Sequence, residues 1–206
     1  PFRPKRRTRA TQARERGLEP LADWLVANQA ADPATEAARF VVESAEKDKA
    51  VPTPVDALAG ARDILAERFT DDPEIRQKIR ALYEQSANIA SKVITGHETN
   101  PEAAKYRDYF EASEALAKTP SHRLLAMRRG EAEGHLLLRV SVDEERAVGM
   151  LKTRFMQGEG PAARQVALAC EDGFKRLLGP SMETDARLAS KRNADVEAIR
   201  VFAGNI

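Results

Sequence analysis

Asp72-Pro73-Glu74-Ile75-Arg76-Gln77-Lys78-Ile79-Arg80-Ala81-Leu82-Tyr83 is the stretch whose reading decides the fold class. An aspartate ahead of a proline is a helix start. Its carboxylate accepts free N–H groups of the first turn, and proline at the first helical position removes a donor that has no partner there. Behind it Ile75, Ile79, Leu82, Ser86, Ile89 and Val93 follow at steps of three or four, and Gly96 reads as the cap. The spacing predicts one long helix over 73–93, roughly 30 Å at about 1.5 Å per residue, a spine against which shorter helices pack.

The same punctuation recurs on both sides of this spine. Leu18, Leu21, Ala22, Leu25 and Val26 repeat at helical spacing, with Trp24 and Asn28 on other faces. Asp32-Pro33 opens a short helix through Phe40 and Val41, and 47–53 is a polar connection broken at Pro52. Thr53-Pro54-Val55-Asp56 opens a helix with Val55, Leu58, Ala61, Leu65 and Phe69 on one face and Gly60 as its weak point. Asn100-Pro101 starts another, with Tyr106, Tyr109, Phe110, Ser113 and Leu116 on one face, closed by Thr119-Pro120. That aromatic stripe reads as core in preference to a base-stacking platform.

One stretch changes period. Leu136, Leu138, Val140 and Val142 alternate with Leu137, Arg139 and Ser141, a strand pattern that 130–134 turns back toward 124–128. Asp143 then caps a helix carrying Val148, Leu151 and Phe155, and 158–161 separates it from one lined by Val166, Cys170, Phe174 and Leu177 that ends at Gly179-Pro180. Val196, Ile199, Val201 and Phe202 mark the last helix. The expected fold is mainly α: an elongated multi-helix array with at most one short β element. It divides into 1–119, with the basic arm and the spine, and 120–206, with the β element.

The 206 residues are 42% hydrophobic, enough to bury a core although 32% are charged. The net charge of +1 conceals an asymmetry. Residues 3–16 carry seven bases against the single acid Glu15, a net of +6, which leaves −5 for the rest. A basic end on a mildly acidic body points to a polyanionic partner for that end. A lone cysteine, Cys170, makes no internal disulfide and sits in an apolar helical pattern, which fits a reducing cytoplasmic setting. No run of eighteen apolar residues and no signal peptide is present, so no membrane partner is expected. The chain starts at Pro1 without an initiator methionine and is read as a piece of a longer protein.

Candidate chemistry centres on the basic residues. Lys5, Arg6, Arg7, Arg9, Arg14 and Arg16 form one group, and Arg123, Arg128 and Arg129, with Arg139, form a second around the strand. Such cations neutralise phosphates and release counterions, which gives sequence-independent binding to RNA or DNA. The competing reading is that Arg6, Arg7 and Arg9 pair with the acidic body. Glu131, Glu133 and His135 imitate a metal site if they lie along one strand, but one histidine with two carboxylates is too few to set a geometry. His97 and His122 are isolated, and Ser121-His122 reads as a helix cap, with no oxyanion donor beside it. The chain has no GxxxxGK[ST], GxGxxG or CxxC, so no catalytic residue, metal or cofactor is expected.

Five stretches in this order resemble the Tex family, bacterial transcription accessory proteins related to a eukaryotic elongation factor that also chaperones histones. They are Pro4-Lys5-Arg6-Arg7-Thr8-Arg9-Ala10 with Gly17-Leu18-Glu19-Pro20-Leu21-Ala22; Gly60-Ala61-Arg62-Asp63-Ile64-Leu65-Ala66-Glu67; Pro120-Ser121-His122-Arg123 with Arg129-Gly130-Glu131; Arg176-Leu177-Leu178; and Ala198-Ile199 with Val201-Phe202-Ala203. The resemblance implies the helical N-terminal region, with a helix-turn-helix-like portion, that precedes a YqgF-like domain, helix-hairpin-helix motifs and an OB-fold RNA-binding module. It implies a nonenzymatic region that contributes to nucleic-acid binding, with the transcription machinery and the remaining domains of the parent chain as further partners. The alternative is a scaffold or protein-interaction module, for example toward RNA polymerase, that positions those downstream domains.

Overall fold

Asp32, Thr53 and Asp72 each start a helix at the proline that follows. Asp32 Oδ1 accepts from the Ala34 N–H at 3.0 Å, Thr53 Oγ1 from Asp56 at 3.2 Å and Asp72 Oδ1 from Ile75 at 2.9 Å. The structure, a computed structural model, describes residues 7–44, 46 and 49–203. In chain order these form α1 (Arg9–Glu15), α2 (Glu19–Ala27), α3 (Pro33–Ala38), α4 (Pro54–Asp71), α5 (Pro73–Ser86), β1 (Asn88–Val93), β2 (Glu111–Ala115), α6 (Ser121–Ala132), β3 (Leu136–Ser141), α7 (Glu144–Phe155), α8 (Pro161–Asp172) and α9 (Gly179–Ala203). The fold is mainly α, with one small sheet.

Two compact units share this chain. One takes in the described residues up to Lys78 together with Glu145–Leu178; the other takes in Ile79–Glu144 and the described residues from Gly179. In the first unit α4 is central: Ala57, Gly60, Ala61, Ile64, Leu65, Ala66, Phe69 and Thr70 are buried, and α1, α2, α3, α8 and the segment Gly173–Leu178 pack around it. Val55, expected on the core face, is 70% exposed. Leu18, Leu21, Ala22 and Leu25 of the α2 stretch are buried as the spacing requires. Phe69 stacks on Phe155 with ring centroids 4.0 Å apart.

A buried amide joins the end of α2 to the start of α8. The Gln29 side chain donates to the Phe155 carbonyl at 2.8 Å and accepts from the Gln157 N–H at 2.7 Å. Ala162 and Ala163 donate to the carbonyls of Ala31 and Gln29, so two first-turn donors of α8 find backbone partners. The chain passes so closely here that a Cβ on Gly160 would lie 2.4 Å from the Gln29 oxygen and 2.5 Å from the Ala30 Cα.

The second unit holds the sheet, antiparallel in the order β2-β1-β3. The expected spine stops short: α5 ends at Ser86, and Asn88–Val93 is the central strand. Ile89 and Val93 fit a helical step, but Ile89 and Ser91 are both buried, which is period two, and the β-branched pair suits a strand bonded on both edges. The helix expected after Asn100-Pro101 is likewise absent. Asn100 Oδ1 accepts from the Glu102 N–H at 2.9 Å and its carbonyl from Ala103, a turn followed by a 3-10 stretch, Ala104–Tyr109, and then β2. Tyr106 is buried, as its core reading required.

Leu136, Leu138 and Val140 of β3 face inward and Leu137, Arg139 and Ser141 outward. The partner of β3 is β1; residues 124–128, expected to receive the turn-back, belong to α6. The open edge of β3 is closed by α9: Glu183 Oε1 accepts from the Val140 N–H at 2.9 Å, and Arg187 donates to the Leu138 carbonyl at 3.2 Å. Nor does the chain stop being helical at Gly179-Pro180. Gly173–Leu178 is a π-helical segment, and α9 begins at Gly179 directly after it.

Gly160→Ala should lower stability by about 1–3 kcal/mol, because the added methyl meets fixed backbone. Gly149→Ala in α7, where a Cβ meets nothing within 4 Å, should raise it by up to about 1 kcal/mol. Urea unfolding of the two variants checks both signs. Ile79, fully buried at the front of the second unit, should cost about 2–5 kcal/mol when replaced by Ala; a loss below about half a unit would show that its face is misassigned.

Candidate nucleic-acid interface

The basic stretch is built on α1, whose first turn is capped by Thr8 Oγ1, the acceptor of the Thr11 N–H at 3.0 Å. Lys5 and Arg6 lie outside the described residues. Arg7 forms an ion pair with Glu15. Arg14 reaches Glu67 of α4 at 2.7 Å and Glu19 at 3.6 Å, while Thr8 donates to the other Glu67 oxygen at 3.0 Å. The Glu67 hydrogen bond holds the Arg14 guanidinium above its ordinary range. Arg9 is exposed, and Arg16 is half-buried and engaged. Arg7 and Arg14 therefore face a set of acids on their own unit: Glu15, Glu19 and Glu67.

The second group falls in the second unit. Arg123 binds Glu114 at 3.1 Å and lies over the Tyr109 ring at 5.2 Å. Arg128, half-buried, donates to the Arg187 carbonyl at 3.1 Å. Arg129 and Arg139 are the open ones: their side chains are 75% and 80% exposed, with Glu133 at 3.9 Å and Glu183 at 3.5 Å. Ion pairs this exposed are weak and leave a cation available to phosphate.

Glu131, Glu133 and His135 do not converge. Glu131 closes α6 and pairs with Arg187, Glu133 binds Lys105 at 2.6 Å, and His135 turns to His97. Among the described residues no group of three or more histidines, cysteines and carboxylates has metal-binding spacing. Ser121 is the first residue of α6 and not its cap, a position held by Pro120; its hydroxyl bonds Glu197, and His122 is exposed.

Sequence reasoning missed the polar ring around α4. Arg176 reaches Asp63 at 3.2 Å and Asp172 at 2.5 Å; Arg62 donates to Gln165; Arg68 binds Asp23 at 2.6 Å and Glu19 at 3.2 Å. Burial pushes the Asp63 carboxyl up, a shift that Arg176 opposes, and burial lowers the Arg62 guanidinium. The signal was present in Arg62-Asp63 and Glu67, charges set in an apolar helical pattern that require partners. Also missed was a groove of about 720 Å³ in the second unit, floored by Tyr83, Leu124, Met182 and Ala194 with Arg80 and Glu197 on its rim. Burial raises the Tyr83 phenol to about 12, and its hydroxyl donates to the Gly179 carbonyl at 3.3 Å.

The family description Tex central region-like matches residues 28–202. Protein tex of Bordetella pertussis is 38% identical over 220 residues, which cover 100% of this chain and 27% of that relative. Protein YhgF of Escherichia coli is 37% identical over 218 residues with the same shares, and the Transcriptional accessory protein Tex of Neisseria gonorrhoeae is 36% identical over 219, again with the same shares. The chain thus spans about a quarter of the length of these relatives. Among the described residues no helix is long and apolar enough to cross a membrane.

Tyr83 gives a measurable consequence. Between its unfolded pKa of about 10 and its folded value of about 12 the folded chain keeps a proton that the unfolded chain has lost, so stability falls as pH rises through that window. Tyrosinate absorbance should show an equivalent still protonated above pH 11, and Tyr83→Phe should remove it.

Proposed function

This chain belongs to the Tex family, and from that premise we propose that it is a nonenzymatic helical scaffold of a transcription accessory protein, serving nucleic-acid engagement by positioning the rest of the polypeptide. One observation carries the reading. Each charged residue of α4 from Arg62 to Arg68 is bonded to a side chain of a different part of the first unit: Arg62 to Gln165, Asp63 to Arg176, Glu67 to Arg14 and Thr8, Arg68 to Asp23 and Glu19. The signature that the sequence shares with the family is in this way a set of internal ties, and Arg14 of the basic stretch is spent on one of them. The downstream RNA-binding module implied by the resemblance, and RNA polymerase, are the partners such a support would serve in the cytoplasm.

A second reading is favoured by the exposed arginines. Arg9, Arg129 and Arg139, with Lys5 and Arg6, contact RNA or DNA phosphates without reading sequence, and the helix-turn-helix-like portion implied by the resemblance goes with it. The two readings separate in one pair of measurements on the 206-residue chain. On the scaffold reading Arg14→Gln should cost about 1 kcal/mol and lower Tm by about 2–4 °C, with the salt dependence of any single-strand binding unchanged. On the contact reading, replacing Lys5, Arg6, Arg7 and Arg9 together by Ala should flatten a log K against log salt slope of about −3 while Tm stays within a degree or so. A flattened slope with an unmoved Arg14→Gln melting temperature would overturn the scaffold reading.

A further inference from the structure

We propose that His97 and His135 form a two-nitrogen chelate for a divalent transition cation of the Zn²⁺ class. The two Nδ1 atoms stand 3.1 Å apart, although 38 residues separate them in sequence. Two imidazole nitrogens bound to one tetrahedral Zn²⁺ at about 2.0–2.1 Å lie about 3.3–3.4 Å apart, so the separation of the pair already fits a shared ion, and the rings have to turn their Nδ1 lone pairs from one another toward it. Imidazole nitrogen is a donor that such cations favour.

Backbone bonds hold the two rings in place. The Ile94 N–H donates to the His135 carbonyl at 3.0 Å, the His97 N–H to Ile94 at 2.9 Å and the His135 N–H to Gly130 at 2.8 Å. His135 is buried and His97 half-buried, so the site opens to solvent on the His97 side. The Tyr106 ring packs 6.0 Å from the His135 ring, and its buried hydroxyl, near the Lys105–Glu133 pair, makes no hydrogen bond of normal geometry. Since no third histidine, cysteine or carboxylate joins the pair among the described residues, the remaining positions fall to water or to an anionic oxygen from outside. Without a cation the 3.1 Å contact needs one Nδ1 hydrogen between the rings; with it both Nδ1 lone pairs point at the ion and the hydrogens sit on Nε2.

The chain has three histidines, which makes the test clean. Calorimetric titration of the 206-residue chain with ZnCl₂ should show one equivalent bound, weakened at least about tenfold in His97→Ala and in His135→Ala, at or beyond the loss expected for a merely outer-shell partner. His122→Ala should leave it unchanged. Because His135 is buried, His97→Ala carries the decision: Zn²⁺ should raise Tm of the parent chain and not of that variant. Absence of binding in the parent, or binding that survives His97→Ala as an adventitious ion only, would overturn the site and leave the contact as an N–H···N bond pinning the loop.

Discussion

A helix surrounded by other helices must offer them small side chains and leave no polar group unpaired. Helix α4 meets both demands. No residue from 57 to 70 is exposed, and where neighbours come closest the sequence has Gly60, against Leu18 and Ala13, and Ala66, against Gly173. What reads in one dimension as a weak glycine in a helix is the position that lets α1 and the turn before α2 approach. The loss of helix propensity, about 1 kcal/mol, is offset by burial of Leu18, Leu21 and Leu25 at about 2 kcal/mol or more each.

The polar side of the same constraint explains the rest of the first unit. A buried amide or carbonyl without a partner costs about 1–3 kcal/mol, so each one fixes a neighbour. Gln29 is buried because its two ends serve Phe155 and Gln157, and the carbonyls beside it serve the first turn of α8. In the second unit Glu183 and Arg187 play the matching part. They occupy the open edge of β3, which would otherwise offer unpaired groups to another strand, and Arg187 is itself held by Glu131. Cys170 belongs to the apolar side of this accounting: burial raises its thiol to about 12, so it is packing material and not a nucleophile.

Local signals were legible and non-local ones were not. Asp32, Thr53 and Asp72 ahead of proline gave three correct helix starts, and the alternation from Leu136 gave the strand. Those signals act within four residues. The misassigned strands, 88–93 and 111–115, take their structure from pairing with each other and with β3, distant in sequence, and Ile89 and Val93 satisfy a helical and an alternating period equally well. Asn100-Pro101 shows the limit of the proline rule: the same side chain that can cap a helix can also close a turn, and here the segment that follows is drawn into β2.

Charge is the hardest feature to read from a sequence, because a row of arginines states a sum and not a set of partners. Arg14 and Arg129 contribute equally to net charge. Yet Arg14 has Glu67 at 2.7 Å on the central helix, while Arg129 is 75% exposed with its nearest carboxylate at 3.9 Å. For the first, leaving Glu67 to bind a phosphate means breaking a short charge-assisted bond and leaving a partly buried carboxylate with the Thr8 hydroxyl but no cation. For the second almost nothing is lost. The cations able to serve an outside polyanion are accordingly those that the fold has not already used, and within the described residues Arg9, Arg129 and Arg139 are of that kind while Arg14 is not.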